Sequence, residues 1–311
     1  MRALVGTGGI VVDFRQPGYS EKELEPMASP VGNSVQTPLN LILPIKSWLQ
    51  LEELHTVLRL TEKKSAGAAD SIGTLHFARF FDLHDNNQMG FFTTYDGTFE
   101  DYMHDFLKDI GDIFEILNKH VVEPAPSPIE KHPEEWIKWA TQRNIEGIGF
   151  YSAYPNLSVQ DIRSRAGITS GAVNSGKQSP LTLVLPTKSP EHLMAASQLI
   201  TQALPKFYAA ANAIGTVHSA RFVPMGSSAL TLIAEYDGTL GQLCDDVSKQ
   251  IGPLFDGIFT NVTDPPPTPV QKNAGAFGDW VARHNLKSWV FYTGYPTLSV
   301  KDILAQAAKA A

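Results

Sequence analysis

The sequence predicts an α+β fold in which one β-α-β-β-α-β unit is used twice, and three observations carry that expectation. The first is an internal repeat. Gly73–Phe80 (G-T-L-H-F-A-R-F) matches Gly215–Phe222 (G-T-V-H-S-A-R-F), Thr94–Thr98 matches Glu235–Thr239, and Tyr154–Ile162 matches Tyr295–Ile303. The offset is 142 residues from His76 to His218 and 141 from Tyr95 to Tyr236, so one residue is lost between them. The second is alternation of apolar and polar residues in short runs, the period of a half-buried strand. The third is a set of helix-start signals ahead of runs with helical spacing.

The elements follow in order. Leu39, Leu41, Leu43 and Ile45 alternate on one face of a first strand. Ser47 with Gln50 forms a capping box, and Trp48, Leu51, Leu54 and Leu58 give the helix behind it an apolar stripe. After a break at Gly67–Gly73 come a strand over Thr74–Asp82, a polar tip at His84–Asn87 and a strand over Phe91–Asp96. Thr98 caps a long helix carrying Tyr102, Phe106, Ile110, Phe114 and Leu117 at helical spacing. A Pro-rich segment leads to a short helix with Trp136 and Trp139, then to a fourth strand over Ile148–Tyr154. Gly167–Ser179 is small and polar, as a linker should be.

The second copy has its strand at Leu181–Lys188, and Ser189-Pro190 opens its first helix. A hairpin over Thr216–Asp237, a helix from Thr239 and a last strand over Trp289–Tyr295 complete it. The expected organisation is an N-terminal arm over 1–36, a first unit over 37–166, a linker over 167–179 and a second unit over 180–311.

Composition narrows the function classes. A chain of 311 residues with 43% hydrophobic and 18% charged residues has the balance of a globular protein with room for a large core. A net charge of −7 without a long Lys/Arg block argues against nucleic acid or an anionic membrane as partner. No apolar run reaches the ~18–20 residues of a membrane span, and the apolar start reads as an ordinary N-terminal segment, so a cytoplasmic protein is expected. Cys244 is the only cysteine, which excludes an intrachain disulfide or a cysteine cluster. Gly6-Thr7-Gly8-Gly9 lacks the spacing of a nucleotide loop, so no nucleotide cofactor is expected.

The element order resembles the ferredoxin-like unit of the dimeric α/β-barrel superfamily over residues ~37–311, through order and not through a diagnostic motif. The resemblance implies two units packed sheet against sheet with helices outside, a ligand pocket in or beside the barrel, and oxidoreductase chemistry, cofactor-free with O2 or haem-assisted. Dye-decolourising haem peroxidases of that superfamily carry Gly-x-x-Asp-Gly. This chain has Thr93 and Ala234 at the leading position, which speaks against peroxidase chemistry. If haem were held, His120, His192, His218 and His284 are the axial candidates. With both units in one chain, a monomer or a homodimer is expected, acting on a small molecule.

Strand alternation puts Asn40, Pro44, Lys46 and Thr182, Pro186, Lys188 opposite the leucine face. It places His218 and Glu235 on one inner face of neighbouring strands, a pairing that would orient an acid–base imidazole. The expected site is therefore in the second unit: His218 as acid/base, Glu235 orienting it, and Arg221, Lys188, Tyr292 and His76 contacting substrate. An isomerase or cyclase could use the same pair. A non-enzymatic ligand-binding or interaction module is the competing class; it predicts a lumen filled by Phe, Tyr and Leu with no open pocket, the repeated His and Arg serving the fold, and Arg79 and Arg221 pairing with carboxylates such as Asp96 and Asp237 or with backbone carbonyls at a strand end. The Tyr-Asp-Gly-Thr runs read as a turn followed by a helix cap.

Overall fold

A computed structural model describes residues 34–83 and 87–310; the expected arm, except for its last residues, lies outside them, as does most of the polar hairpin tip. The protein is a mixed α+β structure with two antiparallel sheets. In chain order the elements are β1 (Gln36–Pro44), α1 (Trp48–Leu60), α2 (Glu62–Ile72), β2 (Leu75–Leu83), β3 (Gln88–Asp96), α3 (Phe99–Asn118), α4 (Pro133–Thr141), β4 (Ile148–Ser152) and α5 (Val159–Ala166). They continue with β5 (Ala172–Val173), β6 (Gln178–Pro186), α6 (Pro190–Ile214), β7 (Val217–Met225), β8 (Ala229–Asp237), α7 (Leu240–Phe259), α8 (Ala274–His284), β9 (Ser288–Thr293) and α9 (Val300–Ala310). No helix among these is long and apolar enough to cross a membrane.

Local signals act where the sequence puts them. The hydroxyls of Ser47, Thr98, Ser158, Ser189 and Thr239 each accept the backbone N–H three residues on, satisfying a donor the first helical turn would leave bare. Ser158 and Asp161 form a full capping box, as do Ser299 and Asp302. The Gly67–Gly73 segment differs from expectation: α2 runs through Ile72 and ends on Gly73, whose φ of 71° is the left-handed cap glycine tolerates. Its counterpart in the second half is the continuous α6.

The main departure is in the sheets. One has the order β1-β3-β2-β9-β5 and the other β4-β7-β8-β6. The last strand of each half thus completes the other half's sheet, so the division of the sheets is not the division of the sequence at the linker. Asn144 shows how the chain is steered across. Its side chain accepts the Asn40 N–H and Ile145 N–H binds Asn40 O, which occupies the open edge of β1 before the chain leaves it. Asn285 and Leu286 do the same to Thr182 on β6. Covering both edges in this way also removes two strand templates for unwanted pairing.

Each sheet buries its leucine face under helices. Leu39, Leu41 and Leu43 pack with α1, α2, α3 and α4 residues including Leu54, Phe106 and Trp136. Leu181, Leu183 and Leu185 pack with α6, α7 and α8. The opposite faces meet each other through Phe81, Phe92, Val223 and Ile233, and through Phe77, Phe291, Tyr154 and Tyr295. These apolar side chains pack between the sheets around the buried arginines and histidines.

Candidate functional site

A bulge in each second strand decides where the repeated histidines point. The β2–β3 register shifts between Leu75 and Phe77, and the β7–β8 register between Val217 and Ser219. Leu75, Ala78 and Phe80 therefore stay on the helix side, while Phe77, Arg79 and Phe81 face the other sheet. His76 and His218 do not share the face of Ala78 and Ala220; both turn inward and are wholly buried. His76 bonds Asp96 through Nε2 (2.7 Å) and Tyr295 through Nδ1 (2.9 Å). His218 bonds Asp237 through Nε2 (2.9 Å) and Tyr154 through Nδ1 (2.7 Å). The two phenols meet at 2.8 Å. Asp96 and Asp237 also accept the first N–H of α5 and α9, from Val159 and Val300. The aspartates of the Tyr-Asp-Gly-Thr runs thus do more than form turns.

The expected pairing of His218 with Glu235 does not form. Glu235 does lie on the inner face, but it accepts from the Arg79 guanidinium of the opposite sheet and from the Ser219 hydroxyl. Of the two kinds of partner expected for the arginines, Asp96 and Asp237 are not reached, whereas backbone carbonyls are. Arg79 reaches across to Leu181 O, Thr182 Oγ1, Ala234 O and Glu235. Arg221 reaches in the other direction to Asn40 Oδ1, Thr93 O and Thr94 Oγ1. Burial pushes the Arg221 guanidinium down to about 10, opposed by the charge of Glu235. Arg221 is enclosed between the sheets and lines neither cavity described below. Lys188 is on the surface, where Nζ donates to Thr260 O at the end of α7 (2.6 Å).

Two cavities among the described residues lie beside the sheets. A cavity of about 40 Å3 sits between the first sheet and α2–α3, lined by Ala69, Ala78, Phe80, Phe91, Phe114 and Tyr292 among others. A second of about 40 Å3 occupies the corresponding place in the other half, lined by Ala211, Ala220, Leu232 and Phe255 among others. Their walls differ in one corner. In the first, Tyr292 donates to Asp70 Oδ1 (2.8 Å) and accepts from Arg163 (2.8 Å), and Arg163 also pairs with Asp70 (2.7 Å). Gly171 N–H donates to the same Asp70 oxygen, drawing the linker strand β5 onto this edge. At the corresponding positions of the second half, Tyr151 bonds Asn212 (2.9 Å) and Leu304 stands in place of Arg163, and none of the three lines the second cavity. Burial raises the Tyr292 phenol well above its ordinary range, with Asp70 adding to the rise and Arg163 opposing it, so it stays protonated. Of the expected contacts Tyr292 alone lines a cavity. Asp70 and Arg163 were not singled out in the sequence; the mismatch of Asp70 with Asn212 and Arg163 with Leu304 was the available signal.

The histidines do not fit a haem. His120 faces Glu53, His192 sits in the first turn of α6 against Ser189, and His284 stacks on Trp280. His218 has both nitrogens bonded, and no histidine lines either cavity.

No protein-family model matches the chain, and no curated protein does. Among solved structures, a candidate monooxygenase from Lactobacillus acidophilus is similar at 7% identity and a TM-score of 0.35, over 85% of this chain and 99% of that one. A second, from Fusobacterium nucleatum, is similar at 10% identity and a TM-score of 0.34, over 86% of this chain and 97% of that one. An anthrone oxidase-like protein is similar at 9% identity and a TM-score of 0.29, over 86% and 94%. None of these likenesses reaches the level at which a shared reaction would follow.

Proposed function

We propose that this chain is an oxidoreductase of the cofactor-free, O2-using kind, which takes a small aromatic substrate in the cavity beside the first sheet. In this reading residues 37–166 and 180–311 are two ferredoxin-like units of the dimeric α/β-barrel type, joined in one chain and exchanging their last strands. The observation that carries the site is the contrast between two corresponding cavities. Both are apolar, yet only the first has an ionised pair, Asp70 and Arg163, bonded to a wall phenol. Stacked Phe80 and Phe91 suit the face of an arene. Tyr292 and Arg163 would orient a phenolic or carbonyl oxygen at its edge. At about 40 Å3 the cavity is well below the ~150 Å3 that admits benzene. Binding therefore requires α2 or the β5 linker strand to shift outward.

The test uses α-naphthol, whose conversion to para-naphthoquinone consumes one O2 and releases one water while the substrate supplies all four electrons. Ala78 and Ala220 occupy corresponding walls, which provides a control within the molecule. Each Ala→Leu change should overpack its half by about 1–3 kcal/mol. Ala78→Leu is expected to abolish saturable naphthol binding and oxygen uptake, whereas Ala220→Leu retains both. Equal loss or equal retention would place the site elsewhere. The apolar packing between the sheets favours the second reading, a ligand-binding module. That reading predicts saturable naphthol binding with no oxygen consumed.

A further inference from the structure

Between the sheets six side chains form one unbranched line: Asp96, His76, Tyr295, Tyr154, His218 and Asp237. Five contacts of 2.7, 2.9, 2.8, 2.7 and 2.9 Å join them end to end. Each hydrogen bond requires one proton between its two heavy atoms. With both carboxylates ionised, both imidazoles neutral and both phenols intact, the six groups own four protons, one on each ring. If Tyr295 donates to His76 and Tyr154 to His218, the phenol oxygens face each other with nothing between them. Turning either hydroxyl to fill that gap strips its histidine of a donor. Exchanging a tautomer strips an aspartate instead. Every arrangement leaves one contact empty. The heavy atoms of every contact already stand 2.7–2.9 Å apart, which leaves no room for a water between them. An empty contact between buried acceptors is costly.

We infer that this line is a binding site for one additional proton, held as an imidazolium on one of the two histidines and shared between them. The fifth proton completes all five contacts: Asp96 accepts from His76, protonated His76 donates to Tyr295, Tyr295 to Tyr154, Tyr154 to His218, and His218 to Asp237. The mirror arrangement charges His218 instead. The two interconvert when three protons each move one contact along, from His76 to Tyr295, from Tyr295 to Tyr154 and from Tyr154 to His218. No bond other than O–H and N–H changes. The line is therefore a proton relay between the two halves.

Its surroundings are consistent with one positive charge. The carboxylates at its ends are each held by a helix N-terminus, and Glu235 is the further charge that acts on both phenols. Burial raises both line phenols well above their ordinary range, so neither supplies the proton by ionising. Each aspartate already accepts through both oxygens, from its histidine and from a helix N-terminus, so the imidazoles are the groups placed to carry the proton. This inference is independent of the cavity and of the oxidation proposed there.

The experiment is nitrogen NMR of the full chain with labelled histidine at pH ~8, where a free imidazole is neutral. The two buried histidines are expected to give one imidazolium and one neutral ring, or two half-protonated signals if the relay is fast. Two neutral rings, or two charged ones, overturn the proposal. Tyr154→Phe leaves three contacts and three protons, so it is expected to remove one charge and leave both rings neutral at that pH. Retention of the imidazolium in that variant also overturns it. Tyr295→Phe shortens the line equivalently from the other side. The wild-type spectrum decides the proton count should either variant fail to fold.

Discussion

Glu235→Gln is expected to lower the unfolding free energy by about 3–5 kcal/mol, although the side chain keeps its shape and its oxygen acceptor. Glu235 is 2% exposed, and Arg79 and Arg221 are each 1% exposed. Among the described residues it is the only carboxylate paired with either guanidinium. Its charge acts on both, most directly on Arg79. Removing that charge leaves two buried cations facing each other across the sheets, with only carbonyl and hydroxyl oxygens around them. A urea titration measures the loss. The double replacement Arg79→Met with Glu235→Leu is expected to recover most of it, because neither charge then has to leave water. A double variant as unstable as Glu235→Gln would show that the pair contributes more than mutual neutralisation.

Gly90→Val is expected to destabilise by about 3 kcal/mol or more, and Phe81→Val at the facing position should relieve it. Phe81 and Gly90 are opposite each other on β2 and β3, and a Cβ on Gly90 would fall inside the Phe81 ring. Phe81 is fully buried against Phe92, so it cannot swing away. The second half solves the same volume differently, with Val223 opposite Thr231. Valine is the better probe at position 90, because Met225 receives the Thr231 hydroxyl and Leu83 stands at the corresponding place. The coupling should be about 1–3 kcal/mol in favour of the double variant. Denaturation of the two singles and the double gives it directly, and strict additivity would refute the exchange of volume between facing strands.

Much of the fold was legible in the chain because its causes are local. The leucine faces follow from a period of two, and the helix starts from hydroxyls placed to accept bare N–H groups. The caps at Ser47, Thr98, Ser189 and Thr239 stand where the sequence placed them. The sheet partners of β4 and β9 were not legible, because a strand's alternation says which faces it buries and nothing about its neighbour. The bulges at His76 and His218 were equally silent. Each adds one residue on one side of a ladder, and that alone turns a histidine from the helices toward the other sheet.

The candidate site is split in the same way. His76, His218, Tyr154, Tyr295, Asp96 and Asp237 stand out in the sequence as polar residues kept in both halves. Their linkage into one line depends on the exchange of last strands, which brings Tyr154 beside His218 and Tyr295 beside His76. The corner of Asp70, Arg163 and Tyr292 joins a helix of the first half, the helix before the linker and the last strand of the second half. By itself the sequence determined most of the elements, their caps and the leucine faces of β1 and β6, because those depend on neighbours within a few residues. The tertiary structure alone decided which strand joins which sheet, and so which tyrosine meets which histidine and which arginine meets Glu235. Such contacts join groups as many as 222 positions apart that the chain brings together only by folding.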